Sequence, residues 1–165
     1  MSRNTIDFGI DLGTTNSAIS VMNAGEVETV KIDGREIVPS VVYVNKKGAF
    51  FVGTGAEARL TSPKHSESCA FEFKRSMGSS QLFKLENGGE FTPAQLSAQV
   101  LKELRANAAS RFNTDSPLAA VVTIPAMFET SQREATLEAC KLAGFEYSLL
   151  LMEPVAAAIA AGFQT

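Results

Sequence analysis

Asp11 ends an apolar run of Ile6, Phe8, Ile10 and Leu12, and Gly13-Thr14-Thr15-Asn16-Ser17 follows at once. The alternation puts the four apolar side chains on one face of a strand and Asp7, Gly9 and Asp11 on the other. A carboxylate at a strand end beside a turn of small residues suits a phosphate and its magnesium ion. Successive N–H groups in such a turn form a concavity for an anion. Asp11 can reach a hard cation directly or through water. A plain β-hairpin, whose Thr and Asn satisfy only their own backbone, would use the same residues. The rest of the chain has to choose between the two.

Three segments would position these residues. Residues 5–39 predict a β-meander with strands over 6–12, 18–22 and 27–32. Its turns fall at 13–16, 23–25 and 33–34, where Gly, Asn and Asp suit tight reversal. Residues 40–116 predict strands over 41–44 and 50–52, a short helix over 55–60 and a stretch over 71–78 open to helix or loop. A strand over 82–85 and a turn at Asn87-Gly88-Gly89 come next. Thr92-Pro93-Ala94-Gln95 then has the form of a capping box, with Pro at the first helical position. Leu96, Val100, Leu104 and Ala108 follow at four-residue spacing, with Leu101 beside them, as a core-facing stripe on a helix of about five turns. Residues 117–165 predict β-α-β-α: an apolar strand over 119–124 buried on both faces, a helix over 131–143, a strand over 147–152 and an Ala-rich helix opened by Glu153-Pro154. Ser131 and Glu134 have capping-box spacing, and Gly144 suits a left-handed C-cap. The outer segments, 1–39 and 117–165, are expected to share one mixed sheet with helices on it. Residues 40–116 would be an α+β insertion.

Bulk properties narrow the class. A chain of 165 residues, 45% hydrophobic, is long enough for a sizeable core. The net charge of −3, without a long basic run, argues against nucleic acid as the main partner. Two cysteines without a C-x-x-C, and one histidine, argue against a structural zinc site. Cys69 and Cys140 read as small apolar fillers, and His65, in a polar stretch, as solvated. The sequence has no segment of membrane-spanning length and no apolar leader, so a cytoplasmic location is expected.

Four motifs fall in one order: Gly9 to Ser17; Val38-Pro39-Ser40-Val41-Val42; Val122 to Arg133, with Pro125-Ala126-Met127-Phe128 at its centre; and Glu153-Pro154-Val155-Ala156-Ala157-Ala158. Phe73-Lys74-Arg75-Ser76-Met77-Gly78 adds a looser fifth. This set resembles the start of the heat shock protein 70 family, the DnaK-type molecular chaperones, from Ile6 to Gly162. The resemblance implies a ribonuclease-H-like, actin-like ATPase lobe, a mixed β-sheet with flanking helices plus the inserted subdomain. It further implies that a second ATPase lobe and a substrate-binding domain lie outside this chain.

Roles follow by matching position. Asp11 resembles the carboxylate that holds magnesium-bound water. Gly13, Thr14, Thr15 and Asn16 resemble the phosphate cradle, with the Thr15 hydroxyl approaching the γ-phosphate. Lys74 resembles the lysine on the terminal phosphates and the attacking water. Glu153 resembles the carboxylate that orients water near the metal. Pro125 and Arg133 resemble a switch pair reporting nucleotide state. The implied cofactors are ATP or ADP and Mg. The implied partners are unfolded polypeptide clients, through the missing domains, with J-domain and nucleotide-exchange co-chaperones, but neither nucleic acid nor membrane.

The intact protein would hydrolyse ATP to gate polypeptide binding, while this fragment alone would be nearly inactive. The chain departs from the family pattern at Met127 (tyrosine is usual), Thr130 (an acid), Leu149 (arginine), Met152 (asparagine) and Ala161 (tyrosine). Those losses point to an altered co-chaperone set. Three alternatives share parts of the pattern: a bacterial actin-like filament-forming ATPase, a sugar kinase, and a non-catalytic truncated interaction module.

Overall fold

The structure, a computed structural model, describes residues 8–86, 89–112 and 119–162. The expected start of the first strand at 6–7, the turn residues Asn87 and Gly88, and the segment boundary near Ser116 lie outside the described residues. The strands are β1 (Phe8–Leu12), β2 (Asn16–Asn23), β3 (Glu26–Thr29), β4 (Val38–Pro39), β5 (Val41–Val44), β6 (Phe50–Val52), β7 (Cys69–Phe71), β8 (Phe83–Leu85), β9 (Gly89–Phe91), β10 (Ala119–Ile124) and β11 (Tyr147–Met152). The helices are α1 (Thr54–Leu60), α2 (Pro93–Arg111), α3 (Thr130–Leu142) and α4 (Glu153–Ala160).

The main sheet runs β11-β10-β1-β2-β3, with β4 added against β2. β1 pairs antiparallel with β2 and parallel with β10, and β10 pairs parallel with β11. The sheet is therefore mixed, and α3 is the crossover that the parallel pair β10–β11 requires. β1 alternates buried and exposed, with Phe8, Ile10 and Leu12 inside and Gly9 and Asp11 outside. Residues 40–112 add a three-stranded sheet, β6-β5-β7, and the hairpin β8-β9.

α2 ties the two regions together. Its N-terminus carries the expected capping box: the Gln95 N–H donates to the Thr92 hydroxyl at 3.1 Å, and the Thr92 N–H donates to the Gln95 side chain at 2.9 Å. Leu96, Val100, Leu101, Leu104 and Ala108 are fully buried in one apolar cluster. That cluster holds Ile10, Leu12 and Val122 of the main sheet together with Val42, Val44 and Phe73 of the middle segment. Each such Leu or Ile contributes about 2 kcal/mol by leaving water.

Four local expectations change. The third strand stops at Thr29, and Ile32 makes only an isolated bridge to Arg35. β10 alternates buried with half-buried residues, so only one face is fully covered. The α3 capping box uses Glu129 and Gln132 instead of Ser131 and Glu134, because the helix starts at Thr130. His65 is half-buried, its ring edge-on to Tyr43 and its Nδ1 3.4 Å from the Tyr43 hydroxyl, because α1 and β7 fold the polar stretch back onto β5.

Candidate functional site

The parallel registers Asp11↔Thr123 and Ile124↔Met152 set the carboxyl ends of β1, β10 and β11 side by side. Ligands of α/β sheets gather at such ends. An open cleft of about 540 Å³ lies there, lined by Asp11, Gly13, Thr14, Lys74, Thr123, Pro125, Glu153 and Ala156. Six residues singled out by the sequence, Asp11, Gly13, Thr14, Lys74, Pro125 and Glu153, thus line one space.

Asp11 is exposed on the uncovered face of β1. The Thr123 hydroxyl on β10 donates to Asp11 Oδ1 at 3.2 Å, with the Ile10 carbonyl an alternative acceptor at 3.4 Å. Beyond Asp11 the chain reverses within Gly13–Thr15. A Cβ on Gly13 would lie 1.9 Å from the Asn16 carbonyl oxygen, so the turn closes this tightly only with glycine. Thr15 is exposed, Asn16 already belongs to β2 opposite Pro39, and neither lines the cleft.

Lys74 arrives from the other region. Glu72 takes a left-handed conformation (φ 53°), which costs a non-glycine residue about 1 kcal/mol or more. It turns the chain out of β7 into a 3-10 turn, Phe73–Ser76. Phe73 and Met77 are buried on either side and hold the turn in place. Gly78 (φ 74°) lies against the backbone of Ser131 and Gln132 at the start of α3, where a Cβ would come within 2.7 Å. Lys74 is therefore carried inward, its side chain 6% exposed. Its ammonium donates to Glu153 Oε1 at 3.3 Å and lies 5.7 Å from the centre of the Phe128 ring. A buried ammonium requires such partners. Glu153 itself is half-exposed at the N-terminus of α4, where the helix dipole favours an anion.

Pro125 and Arg133 act on one loop. The Phe128 N–H donates to the Pro125 carbonyl at 3.1 Å, and Arg133 Nε donates to the Phe128 carbonyl at 3.0 Å. The link between them thus runs through Phe128, whose ring also faces Lys74.

Sequence reasoning assigned no role to Thr123, Phe128, Ser17 or Ser40. Ser17 and Ser40 are buried and their hydroxyls lie 2.8 Å apart. All four residues stand inside the quoted motifs, but periodicity does not mark them as site residues.

The donor set fits a magnesium–phosphate group. Asp11 and Glu153 offer two carboxylates, Lys74 an ammonium and the 13–16 turn its backbone. Among the described residues no group of three or more His, Cys, Asp or Glu could hold a metal alone. Mg²⁺ asks for no such cage, since it keeps several waters and takes one or two carboxylates plus phosphate. The cysteines stand apart from this chemistry. Burial pushes both thiols above the ordinary value of 9.0, partly offset by Arg59 near Cys69 and by the Ser148 side chain at Cys140. They remain neutral thiols at physiological pH and are poor nucleophiles. No helix among the described residues is long and apolar enough to cross a membrane. Compared with protein-family models, residues 7–165 match the family described as Hsp70 protein.

Proposed function

The chain belongs to the Hsp70 family, and from that membership we propose that it binds Mg-ATP in the cleft at the ends of β1, β10 and β11. The observation that carries this reading is the convergence of Asp11, the Gly13–Thr14 turn, Lys74 and Glu153 on one open space. The family is one of chaperone ATPases with a nucleotide-binding domain, and the mixed α/β fold is consistent with an actin-like ATPase lobe.

In this reading the turn and Lys74 hold the phosphates, while Asp11, oriented by Thr123, holds magnesium-bound water. Magnesium, when bound, supplies positive charge against the phosphate oxygens. Lys74 adds a fixed cation where negative charge develops during transfer. Glu153, half-exposed and already within reach of Lys74, orients water. Thr15, exposed on the turn, would bring its hydroxyl to the terminal phosphate by side-chain rotation, with the backbone of the turn unchanged. Pro125 and Arg133, joined through Phe128, report the state of Lys74 to a substrate-binding domain.

In the intact protein this cycle would gate polypeptide binding, with J-domain and nucleotide-exchange co-chaperones. Residues 40–116 would act as an inserted subdomain between the two parts of the core, and the protein would work in the cytoplasm. The departures at Met127, Thr130, Leu149, Met152 and Ala161 all lie on exposed positions, as an altered docking surface requires. Weak stimulation of the full-length protein by a general J-protein is expected; full stimulation would overturn that part of the reading. The family match favours the chaperone reading over a bacterial actin-like filament-forming ATPase, a sugar kinase or a non-catalytic truncated interaction module.

The direct test is calorimetric titration of this chain with Mg-ATP beside Asp11→Ala. Weak binding, lowered at least tenfold in the variant, is expected, with negligible turnover because half a cleft cannot desolvate the phosphates. Equal binding by both proteins would overturn the site assignment.

A further inference from the structure

Ser17 and Ser40 are each 1% exposed and 23 residues apart, Ser17 on β2 and Ser40 in the single-residue link between β4 and β5. One placement of the protons satisfies all the contacts at once. The Ser40 hydroxyl donates to the Gly13 carbonyl at 2.9 Å, and this uses its only proton. Across the 2.8 Å contact Ser17 must therefore be the donor and Ser40 the acceptor. The Gly13 N–H in turn donates to the Ser17 hydroxyl oxygen at 3.2 Å. The three groups close a ring: Gly13 N–H to Ser17, Ser17 to Ser40, Ser40 back to the Gly13 carbonyl. A further bond, from the Ser40 N–H to the Thr15 carbonyl at 2.8 Å, ties the other side of the turn to the same residue.

We propose that the Ser17–Ser40 pair positions the phosphate turn, holding Gly13 by both backbone groups so that the turn is set before a polyphosphate arrives. The ring deepens the Mg-ATP reading and rests on it for the identity of the ligand. With the Gly13 N–H and carbonyl both engaged, the N–H groups of Thr14 and Thr15 are left to meet an anion, since neither has a partner among the described residues. Bonds in such a ring polarise one another, so loss of either hydroxyl weakens the remainder. The hydroxyls touch no reacting atom; they act through Gly13.

The test compares Ser40→Ala and Ser17→Ala with Ser97→Ala, a fully buried serine on α2 whose hydroxyl meets only the Met77 sulfur. Ser97→Ala controls for loss of a buried hydroxyl without loss of the ring. Amide exchange of Gly13 and of residue 40, whose N–H groups are held by the Ser17 hydroxyl and the Thr15 carbonyl, is measured at matched fractions of folded protein, with Mg-ATP titration alongside. Losing one buried hydrogen bond predicts a rise in exchange of roughly five- to twentyfold in each ring variant, none in Ser97→Ala, and a similar fall in Mg-ATP affinity. The double variant should cost less than the sum of the singles, because both act on one ring. Unchanged exchange in Ser40→Ala and Ser17→Ala overturns the proposal, whether or not nucleotide binds. Raised exchange in both supports it; absence of Mg-ATP binding by the unmodified chain would then count against the nucleotide reading alone. Should Ser40→Ala fail to fold, Ser17→Ala, which keeps the bond from Ser40 to Gly13, decides the question.

Discussion

The two halves of the cleft are held in different ways. The Gly13–Asn16 turn is fixed by backbone: a glycine with no room for a Cβ, and buried hydroxyls on both groups of that glycine. Lys74 is fixed by side chains, through one ion pair to a half-exposed glutamate and a ring 5.7 Å away. The first half is preorganised and tolerates little change. The second half can adjust, because Lys74 can exchange Glu153 for another anion without moving backbone. A site that takes up charged phosphate benefits from both, since a rigid cradle limits the entropy lost and an exchangeable cation follows the charge.

The largest test of this contrast is Gly13→Ala. The added Cβ meets backbone, not a flexible side chain, so the turn has to shift; a loss of about 3 kcal/mol in urea unfolding is expected. A loss under about 0.5 kcal/mol, within the range of an ordinary surface change, would remove the claim that the turn is rigid.

Gly78→Ala asks whether the second half also depends on backbone at its hinge. Positive φ and contact with the Ser131 and Gln132 backbone predict a loss of about 2 kcal/mol. Nucleotide affinity should fall with it, because the same contact seats Lys74. A stability loss with unchanged affinity would detach Gly78 from the site.

Glu153→Gln probes the ion pair itself. Glu153 is half-exposed, so solvent screening limits the effect to about 1 kcal/mol, read as a lowered Tm at low salt that shrinks at high salt. A salt-independent loss of about 3 kcal/mol would mean that the pair is as rigid as the turn.

The smallest effect concerns the thiols, one in each region. Cys69 sits on β7 just before Lys74, and Cys140 on α3 in the main core. If the Lys74 region opens more readily, Cys69 is labelled by a thiol reagent faster than Cys140 at the same pH. Both thiols have folded values raised above 9.0. A raised thiol stays neutral in the fold after the unfolded chain has ionised. Its contribution is therefore complete below pH 9.0 and is lost as pH rises through the folded value. Stability should be flat with respect to these groups up to pH 9 and fall above it, and the fall should be absent in a Cys69→Ala, Cys140→Ala double variant.

Legibility in the sequence followed the range of the forces. β1 and α2 were readable because period-2 and period-3.6 patterns record which side faces the core, and β10, α3 and β11 because short apolar runs alternate with cap and turn residues. The Thr92 cap was readable because both its hydrogen bonds span three residues. The box at α3 was misplaced by two residues because Ser131 and Glu129 open equally acceptable spacings, and only the helix start chooses between them. His65 was read as solvated because its neighbours in sequence are polar, whereas its neighbour in space is the Tyr43 ring.

Within the cleft, sequence alone determined that Asp11 ends a strand before a glycine turn, since alternation and turn chemistry act over a few residues. It also determined that Glu153 opens a helix, through the Pro154 that follows. Only the tertiary structure decided that Lys74 meets Glu153 across 79 positions, that Thr123 faces Asp11 across a parallel register, and that two serines 23 residues apart clasp one glycine. Local pattern records which face a residue shows. The partner on that face is chosen by sheet pairing and core packing, which act between segments whose separation in sequence carries no trace of their distance in space.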